Sequence, residues 1–504
     1  MADVSWLAWP FLTLYLLSLF VISLFCFLQF HLWIIYVTAP RKIQGNPNFA
    51  KQDLKEWPMV TIQVPVFNEK YVVERIIDAV MEIDYPKDRF EVQILDDSTD
   101  ETLDLSRNKA QEFRVAGYNI SVLHRTDRSG FKAGALQHGL KTAKGTLITI
   151  FDADFVPMPN FLKQLLHHFE DPHVGVVQTR WGHINENYSL LTRVQALQLN
   201  VHFTIEQFGR YLAGYFLQFN GTAGIWRKAC IDDAGGWHAD TLTEDLDLSY
   251  RAQLKGWKVI FREDVVTPAE LPTDMHALKS QQYRWMKGGA ETARKLLPSI
   301  YNTSLPIWKK VHALMHVLAS SIFIFVFLLG ISSVALAWLI SDDAIFSQIP
   351  SAVFFPYPLV FICLIYLTAN NNSLQKPLDR ILQVGRFILL FPIFMAMSMA
   401  ISFHNTIAVV QGFIGKRTSF VRTPKYGNSP AFIKKATSTS YFSGRLKPET
   451  AWEVLFFFLF SASAWHGIKD MYHDFVMLHL MLAIGYSIIL FYTFKDYYVG
   501  HSGK

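Results

Sequence analysis

Three short acidic runs hold the residues best suited to chemistry: Asp96 and Asp97 in "ILDDSTD", Asp152 and Asp154 in "ITIFDADF", and Glu244 and Asp245 in "TLTEDLDL". Asp152 and Asp154 stand at i and i+2 just past an apolar run. In an extended chain they point to opposite faces, but a turn at the strand end brings both toward one ligand. Their hard oxygens suit Mg²⁺ or Mn²⁺, which commonly bridges carboxylates to substrate phosphates. The plainer reading is a solvated loop, or a cap for a helix starting near Pro159. Asp96 and Asp97 can accept hydrogen bonds from a nucleobase or ribose, while Ser98 and Asp100 beside them are also helix-capping types. "VPVFNE" adds Pro65, Asn68 and Glu69, with Phe67 available to stack on a base. Lys132, between glycines in "RSGFKAGAL", is a point charge on a flexible loop, suited to a diphosphate.

Glu244 and Asp245 fall in the first turn of a helix, and Thr241 and Glu244 have capping-box spacing. The helix dipole lowers the Asp245 pKa, the wrong direction for a general base, whereas burial near a diphosphate raises it. The sequence leaves that contest open. Further on, "LKSQQYRWMKGG" sets Gln281, Arg284 and Trp285 close together just before the chain turns apolar. A Trp and an Arg there could simply anchor the interface. With the acids upstream they gain another use: Arg284 as a fork for phosphate oxygens, Gln281 assisting, and Trp285 as a face for a sugar ring.

Something must position these groups. Across 58–270, β-rich runs ("MVTIQVPV", "FEVQILDD", "NISVLHR", "TLITIFDAD") alternate with helical ones ("VVERIIDAVMEI", "ETLDLSRNKAQEF"). Such alternation predicts a parallel sheet with its ligand at the carboxyl ends of the strands, where the acids stand.

The flanks are of another kind. Half of the 504 residues are hydrophobic and 18% are charged, below the roughly 25% of soluble domains. The run 6–37 exceeds the ~20 residues needed to cross a bilayer. It has no basic leader or small-residue cleavage site, so it is expected to stay as a span. Arg41 and Lys42 follow it, which places the domain in the cytosol. Apolar runs near 311–340, 353–369, 387–410, 452–468 and 474–494 come after the domain. If all crossed, the segment 415–448, with eight Lys/Arg and no acid, would lie outside, against the positive-inside rule. The run 387–410, containing Pro392, is therefore read as interfacial or re-entrant, leaving five spans. The expected division is an N-terminal transmembrane helix (1–40), a cytosolic domain (41–305) and a transmembrane region (306–504) with an interfacial helix at 387–413 and a loop at 415–430. The net charge of +5 gathers largely in that basic segment and gives no reason to expect a nucleic-acid partner. Cys26, Cys230 and Cys363 form no disulfide or metal framework.

In order, "DD" (96–97), "DAD" (152–154), "TED" (243–245) and "QQYRW" (281–285) resemble the D, D, D, Q-x-x-R-W signature of processive family 2 glycosyltransferases. Cellulose, chitin, hyaluronan and mannan synthases belong to that group. "FNGTAGIWR", "GGW" and "LKGWKVI" resemble plant cellulose-synthase-like mannan and xyloglucan-backbone synthases more closely still. The resemblance implies an α/β GT-A (Rossmann-like) cytosolic domain inserted between transmembrane helices. It also implies inverting transfer from an α-linked nucleotide sugar with Mg²⁺ or Mn²⁺. By position, Asp245 (with Glu244 beside it) resembles the general base, and Asp152 and Asp154 the donor-phosphate and metal ligands. Pro65, Asn68, Glu69, Asp96, Asp97 and Lys132 lie at the donor end. Gln281 and Arg284 match diphosphate contacts, Trp285 the acceptor platform, and Asn220, Gly221 and Thr222 the loop lining the acceptor terminus. "FVRTPK" resembles the F-x-V-T-x-K gating loop of cellulose synthases, keeping Phe420, Thr423 and Lys425 but with Arg422 at the valine position. The implied function is polymerisation of UDP-glucose or GDP-mannose into a β-linked polysaccharide that crosses the membrane as it grows. The alternative is transfer of a single sugar to a membrane lipid. A transporter with a nucleotide-binding domain would have little use for Asp245 and Trp285. Either a bacterial inner membrane or a Golgi-type membrane fits.

Overall fold

The computed structural model describes residues 5–40, 56–339, 357–371, 377–418, 422–425, 427, 446–469 and 475–502. Phe420 lies outside them. An apolar helix, α1 (Ser5–Thr38), precedes the domain. The domain is built on a seven-stranded sheet of β1 (Val60–Val66), β2 (Phe90–Asp96), β3 (Ile120–His124), β4 (Leu147–Ile150), β5 (Val174–His183), β6 (Gly224–Arg227) and β7 (Lys258–Ala269), in the order β3-β2-β1-β4-β6-β5-β7. β1 and β2 are near-continuous apolar runs because both faces of the sheet are covered. Helices α2 (Val73–Met81) and α3 (Thr102–Val115) pack Ile76, Ile77 and Ala110 on one face. α4 (Phe131–Leu140), α5 (Leu190–Val201) and α6 (Glu244–Leu254) follow, and Leu136 of α4 and Leu248 of α6 belong to the core on the other face.

The expected parallel sheet holds for β1–β4 and for the β5–β7 pair, but β6 runs antiparallel to both β4 and β5. This difference has a geometric purpose. Ile150 at the carboxyl end of β4 pairs with Gly224 at the start of β6, so the loop before β6 meets the loop after β4. The Asp152 N–H donates to Thr222 Oγ1 at 2.8 Å across that junction.

The domain ends in α7 (Met275–Tyr301), and beyond it come α8 (Ile322–Leu339), α9 (Tyr357–Ala369), α10 (Pro377–Ala400), α11 (Ser402–Phe413), α12 (Glu449–Lys469) and α13 (Val476–Ser502). Among the described residues, five helices are long and apolar enough to cross a membrane: α1, α8, α10, α12 and α13. The single interfacial helix read over 387–413 is two helices, broken at Ile401. The first half is long enough to cross, and only the shorter α11, with Asn405 and Gln411, suits an interface. The described part of α9 is 13 residues long. Residues 422–425 touch the domain: Arg284 Nη2 donates to Thr423 Oγ1 at 2.7 Å and Lys425 Nζ to Asp154 at 2.5 Å. This stretch after α11 therefore packs against the domain.

α13 meets α10 at Gly485, where a Cβ would lie 2.0 Å from the Ala396 carbonyl oxygen, a small-residue contact of the kind that lets membrane helices pack closely. Gly485→Leu should force these helices apart, costing about 1–3 kcal/mol or more and lowering Tm in detergent. Gly385→Leu, at a position with nothing within 4 Å, should leave Tm unchanged.

Candidate active site

The carboxyl ends of β1, β2 and β4, the loop before β6, the start of α6 and one face of α7 enclose a single cleft. Lys132 of α4 is its hinge-pin. Its Nζ donates to Asp152 Oδ1 at 2.5 Å and to the Gly221 carbonyl at 2.9 Å. Burial works against its charge, but Asp152, Glu244 and Asp245 outweigh that and hold its pKa above the ordinary lysine value. Gly221 has φ +80°, and a Cβ there would sit 2.9 Å from Asp245 Oδ2 and 3.3 Å from Lys132 Nζ. Only glycine lets this loop pass so close to the acid.

Burial decides the contest at the start of α6. Burial first, then the neighbouring Glu244, pushes Asp245 up to about 7, and burial also raises Glu244 against the pull of Lys132. The dipole loses, so Asp245 is poised to take a proton near neutral pH. The expected capping box does not form. Thr243 precedes the helix without a side-chain cap and meets Thr292 Oγ1 at 3.1 Å instead.

Gln281, Arg284 and Trp285 stand at i, i+3 and i+4 of α7, share one face and line the cleft. Burial lowers the Arg284 pKa to about 10, which leaves it a cation at neutral pH. The next residues are structural. Lys287 Nζ donates to the Lys416 carbonyl and Thr418 Oγ1, each at 2.5 Å, and a Cβ on Gly288 would lie 2.6 Å from Thr243 Cγ2. α7 thus holds the loop before α6 on one side and the segment after α11 on the other.

Asp152 and Asp154 both line the cleft, each facing an ammonium: Lys132 on Asp152, and Lys425 on Asp154 at 2.5 Å. Their hard carboxylate oxygens suit Mg²⁺ or Mn²⁺, which would compete with these ammonium groups for them. His238, Asp240 and Asp247 also come within ligand distance of one another. There Lys295 lies 2.8 Å from Asp240 and 3.0 Å from Asp247, and Arg251 lies 2.8 Å from Asp247. That acid cluster is neutralised by side chains and does not need a metal.

Where β1 and β2 end, Pro65, Glu69 and Asp97 line the cleft. Asp97 takes a bidentate pair from Arg125 at 2.8 and 2.6 Å. Burial pushes Glu69 up to about 7 against Arg422, which lies 3.5 Å away. Other expected residues act from behind. Asp96 turns inward, accepting from the Ser98 N–H at 2.7 Å and the Ser106 hydroxyl at 3.2 Å. Asn68, at φ +52°, clamps Thr99 and Ser98. Thr222 is fully buried and positions Asp152, while Asn220, which lines the cleft, is braced by Gln207 and His202 at 2.8 Å. The Phe67 ring, expected to stack on a base, carries the Arg128 guanidinium 3.3 Å from its centroid. Arg125 and Arg128 are missing from the sequence reading, although "HRTDR" after β3 is a cationic signal at a strand end. Arg422 is visible there only as a departure from a pattern.

Two measurements follow from these charges. Asp245 has a folded pKa above its unfolded value, so the folded state holds the extra proton and loses stability as pH rises toward about 7. Asp245→Asn removes that loss, and its Tm advantage over the parent should grow from pH 5 to pH 8. Lys425→Ala removes the ammonium that shares Asp154, so Mn²⁺ should bind about tenfold more tightly without nucleotide, measured by calorimetry. An unchanged Kd would mean that Lys425 does not compete with the ion.

Residues 58–288 match the family described as glycosyltransferase-like family 2. Probable glucomannan 4-beta-mannosyltransferase 10 of Arabidopsis thaliana is 38% identical over 337 residues, which are 62% of this chain and 60% of that protein. The match thus spans less than two thirds of that relative. Glucomannan 4-beta-mannosyltransferase 1 of Oryza sativa is 36% identical over 394 residues, 76% of this chain and 72% of that protein. Mannosyltransferase PcManGT of Pyrobaculum calidifontis, solved in complex with GDP-Man and Mn²⁺, superposes with TM-score 0.50 at 19% identity. That likeness covers 80% of this chain and 100% of the other and bears on the fold alone. Identity of this order over nearly three quarters of the rice protein establishes the lineage: the chain belongs to glycosyltransferase family 2, in its cellulose-synthase-like group.

Proposed function

We propose that this chain is a membrane-embedded, inverting hexosyltransferase that moves mannose from GDP-mannose onto a β-linked glycan and extends it repeatedly. The observation that carries the reading is Asp245, half-buried in the cleft and raised to about 7, with Gly221 packed between it and Lys132 of the Lys132–Asp152 pair. The names of the relatives, glucomannan 4-beta-mannosyltransferases, favour a mannosyl donor over UDP-glucose.

The ionised Asp245 carboxylate takes the proton of the acceptor hydroxyl as its oxygen attacks the anomeric carbon. The bond from that carbon to the diphosphate breaks on the opposite side, so an α-linked donor gives a β-linked product. Negative charge grows on the departing diphosphate, where Lys132 and Arg284 can balance it. Asp152 and Asp154 would hold Mg²⁺ or Mn²⁺, which supplies further neutralisation of the diphosphate when bound. Trp285 gives the acceptor ring an apolar face, on a helix that leads into the membrane segments. That placement supports export of the growing chain through them, with the domain on the cytosolic side. The plant relatives support a Golgi-type membrane over a bacterial one.

The test uses detergent-solubilised protein with Mn²⁺ and, separately, GDP-mannose, UDP-glucose and UDP-N-acetylglucosamine labelled in the sugar. Insoluble product from GDP-mannose, degraded by β-mannanase, is expected. Chelation of the ion should stop synthesis, Asp245→Asn should lower turnover about 10²–10⁴-fold, and the parent's turnover should rise with pH toward about 7. Label found only in extractable lipid would replace polymerisation with single transfer to a lipid acceptor.

A further inference from the structure

The cleft wall contains residues with no part in donor binding or proton transfer. Trp181 and His183, near the carboxyl end of β5, line it together with Leu199 of α5. Trp181 belongs to the core by its ring. It lies edge-on to Phe155 at 5.3 Å and tilted against Phe203 at 5.3 Å, so the indole N–H is what it can offer a ligand. Trp181 Nε1 and His183 Nε2 are both buried and, among the described residues, have no hydrogen-bond partner. Leaving such groups unpaired is costly, so each calls for a partner from outside the fold. The indoles of Trp226 and Trp237 share this condition but do not line the cleft. Trp181 and His183 do, and at i and i+2 of a strand they share a face.

The two groups are complementary. The indole N–H can only donate. Burial, then Arg180, pushes the His183 pKa down to about 4, so the ring is neutral at pH 7. A neutral imidazole carries one accepting nitrogen, and Nε2, buried without a partner among the described residues, is free to be it. The strand is bent to place them. Thr179 pairs with Arg262 but Arg180 with Val266, a bulge of the sort that re-aims side chains next to active sites. A Cβ on Gly182 would lie 2.7 Å from Val266 Cγ1, so the strands are close there. Arg180 donates to Asn200 and Asn200 to Asn370, each at 3.0 Å, tying this wall to the end of α9 in the membrane region.

We propose that Trp181 and His183 form a second acceptor subsite, which binds a hexopyranose beyond the one resting on Trp285. One sugar hydroxyl accepts from the indole N–H and another donates to the imidazole. The inference rests on the acceptor being a glycan, as proposed above, because a lipid-linked monosaccharide has no second ring to place there.

Calorimetry on the full chain in detergent tests it, with β-(1→4)-mannotetraose, mannose and GDP-mannose as separate probes. Trp181→Phe keeps the ring and removes the N–H, His183→Leu removes the acceptor, and His183→Gln restores one. The tetraose should bind about tenfold more weakly to Trp181→Phe and His183→Leu and near the parent level to His183→Gln, with mannose and GDP-mannose unchanged. Unchanged tetraose binding in both variants overturns the subsite, as does a parallel loss of GDP-mannose binding or a parent that does not bind the tetraose. A parent that binds the tetraose but transfers no sugar would count against the proposed function and leave the subsite standing.

Discussion

The contact on which the site depends is the Lys132 ammonium, shared between the Asp152 carboxylate and the Gly221 carbonyl. Glu244 and Asp245 are half-buried, and Asp152 and Asp154 line the same cleft, so they repel one another unless cations lie between them. Lys132, with Arg128 near it, comes from the parallel half of the fold. Arg284 comes from α7, and Arg422 and Lys425 come from the segment beyond α11. The domain brings the negative charge together with Lys132 and Arg284, and the segment beyond α11 adds Arg422 and Lys425. Removing that segment would take away the cations that face Glu69 and Asp154.

β6 is what makes that arrangement possible. A wholly parallel sheet would leave the carboxyl end of β4 bordered by loops that start from strands pointing the same way. The antiparallel β6 instead delivers a loop arriving from the opposite direction, so that Asn220, Gly221 and Thr222 face Asp152 at one edge. The positive φ of Gly221 and of Ala223 (+56°) shows how sharply the chain turns to enter that short strand.

Much of this was legible in the sequence because its signals are local. Apolar runs ending in acids gave β1, β2 and β4, and Gln281, Arg284 and Trp285 stood out as a group whose common face only α7 reveals. What escaped depends on orientation or on distant partners. A strand-end carboxylate reads the same whether it faces the cleft, as Asp97 does, or the chain behind it, as Asp96 does. The Thr241–Glu244 spacing is right for a cap, yet Thr243 begins the helix because Thr292 and Gly288 of α7 hold it there. The four residues of β6 are too few to announce a direction. Hydropathy alone could not divide 387–413 at Ile401, since both halves are apolar.

The stretch "QQYRWMKGG" can now be read as one device. An interfacial anchor would need only its Trp and a cation, and it would place no demand on the residues that follow. Here Lys287 binds the segment after α11, Gly288 admits Thr243, and a Cβ on Gly412 of α11 would lie 2.6 Å from the Lys287 carbonyl oxygen. The face bearing Gln281, Arg284 and Trp285 is therefore fixed relative to the acid pair on one side and to the membrane helices on the other. A displacement of α11 or α10 cannot be absorbed by a loose linker. It must either break the Lys287 contacts or move Arg284 and Trp285 with α7. Under the proposed mechanism Arg284 serves the donor and Trp285 the acceptor, so such a movement would change both ends of the transfer at once and link the chemistry to the membrane region.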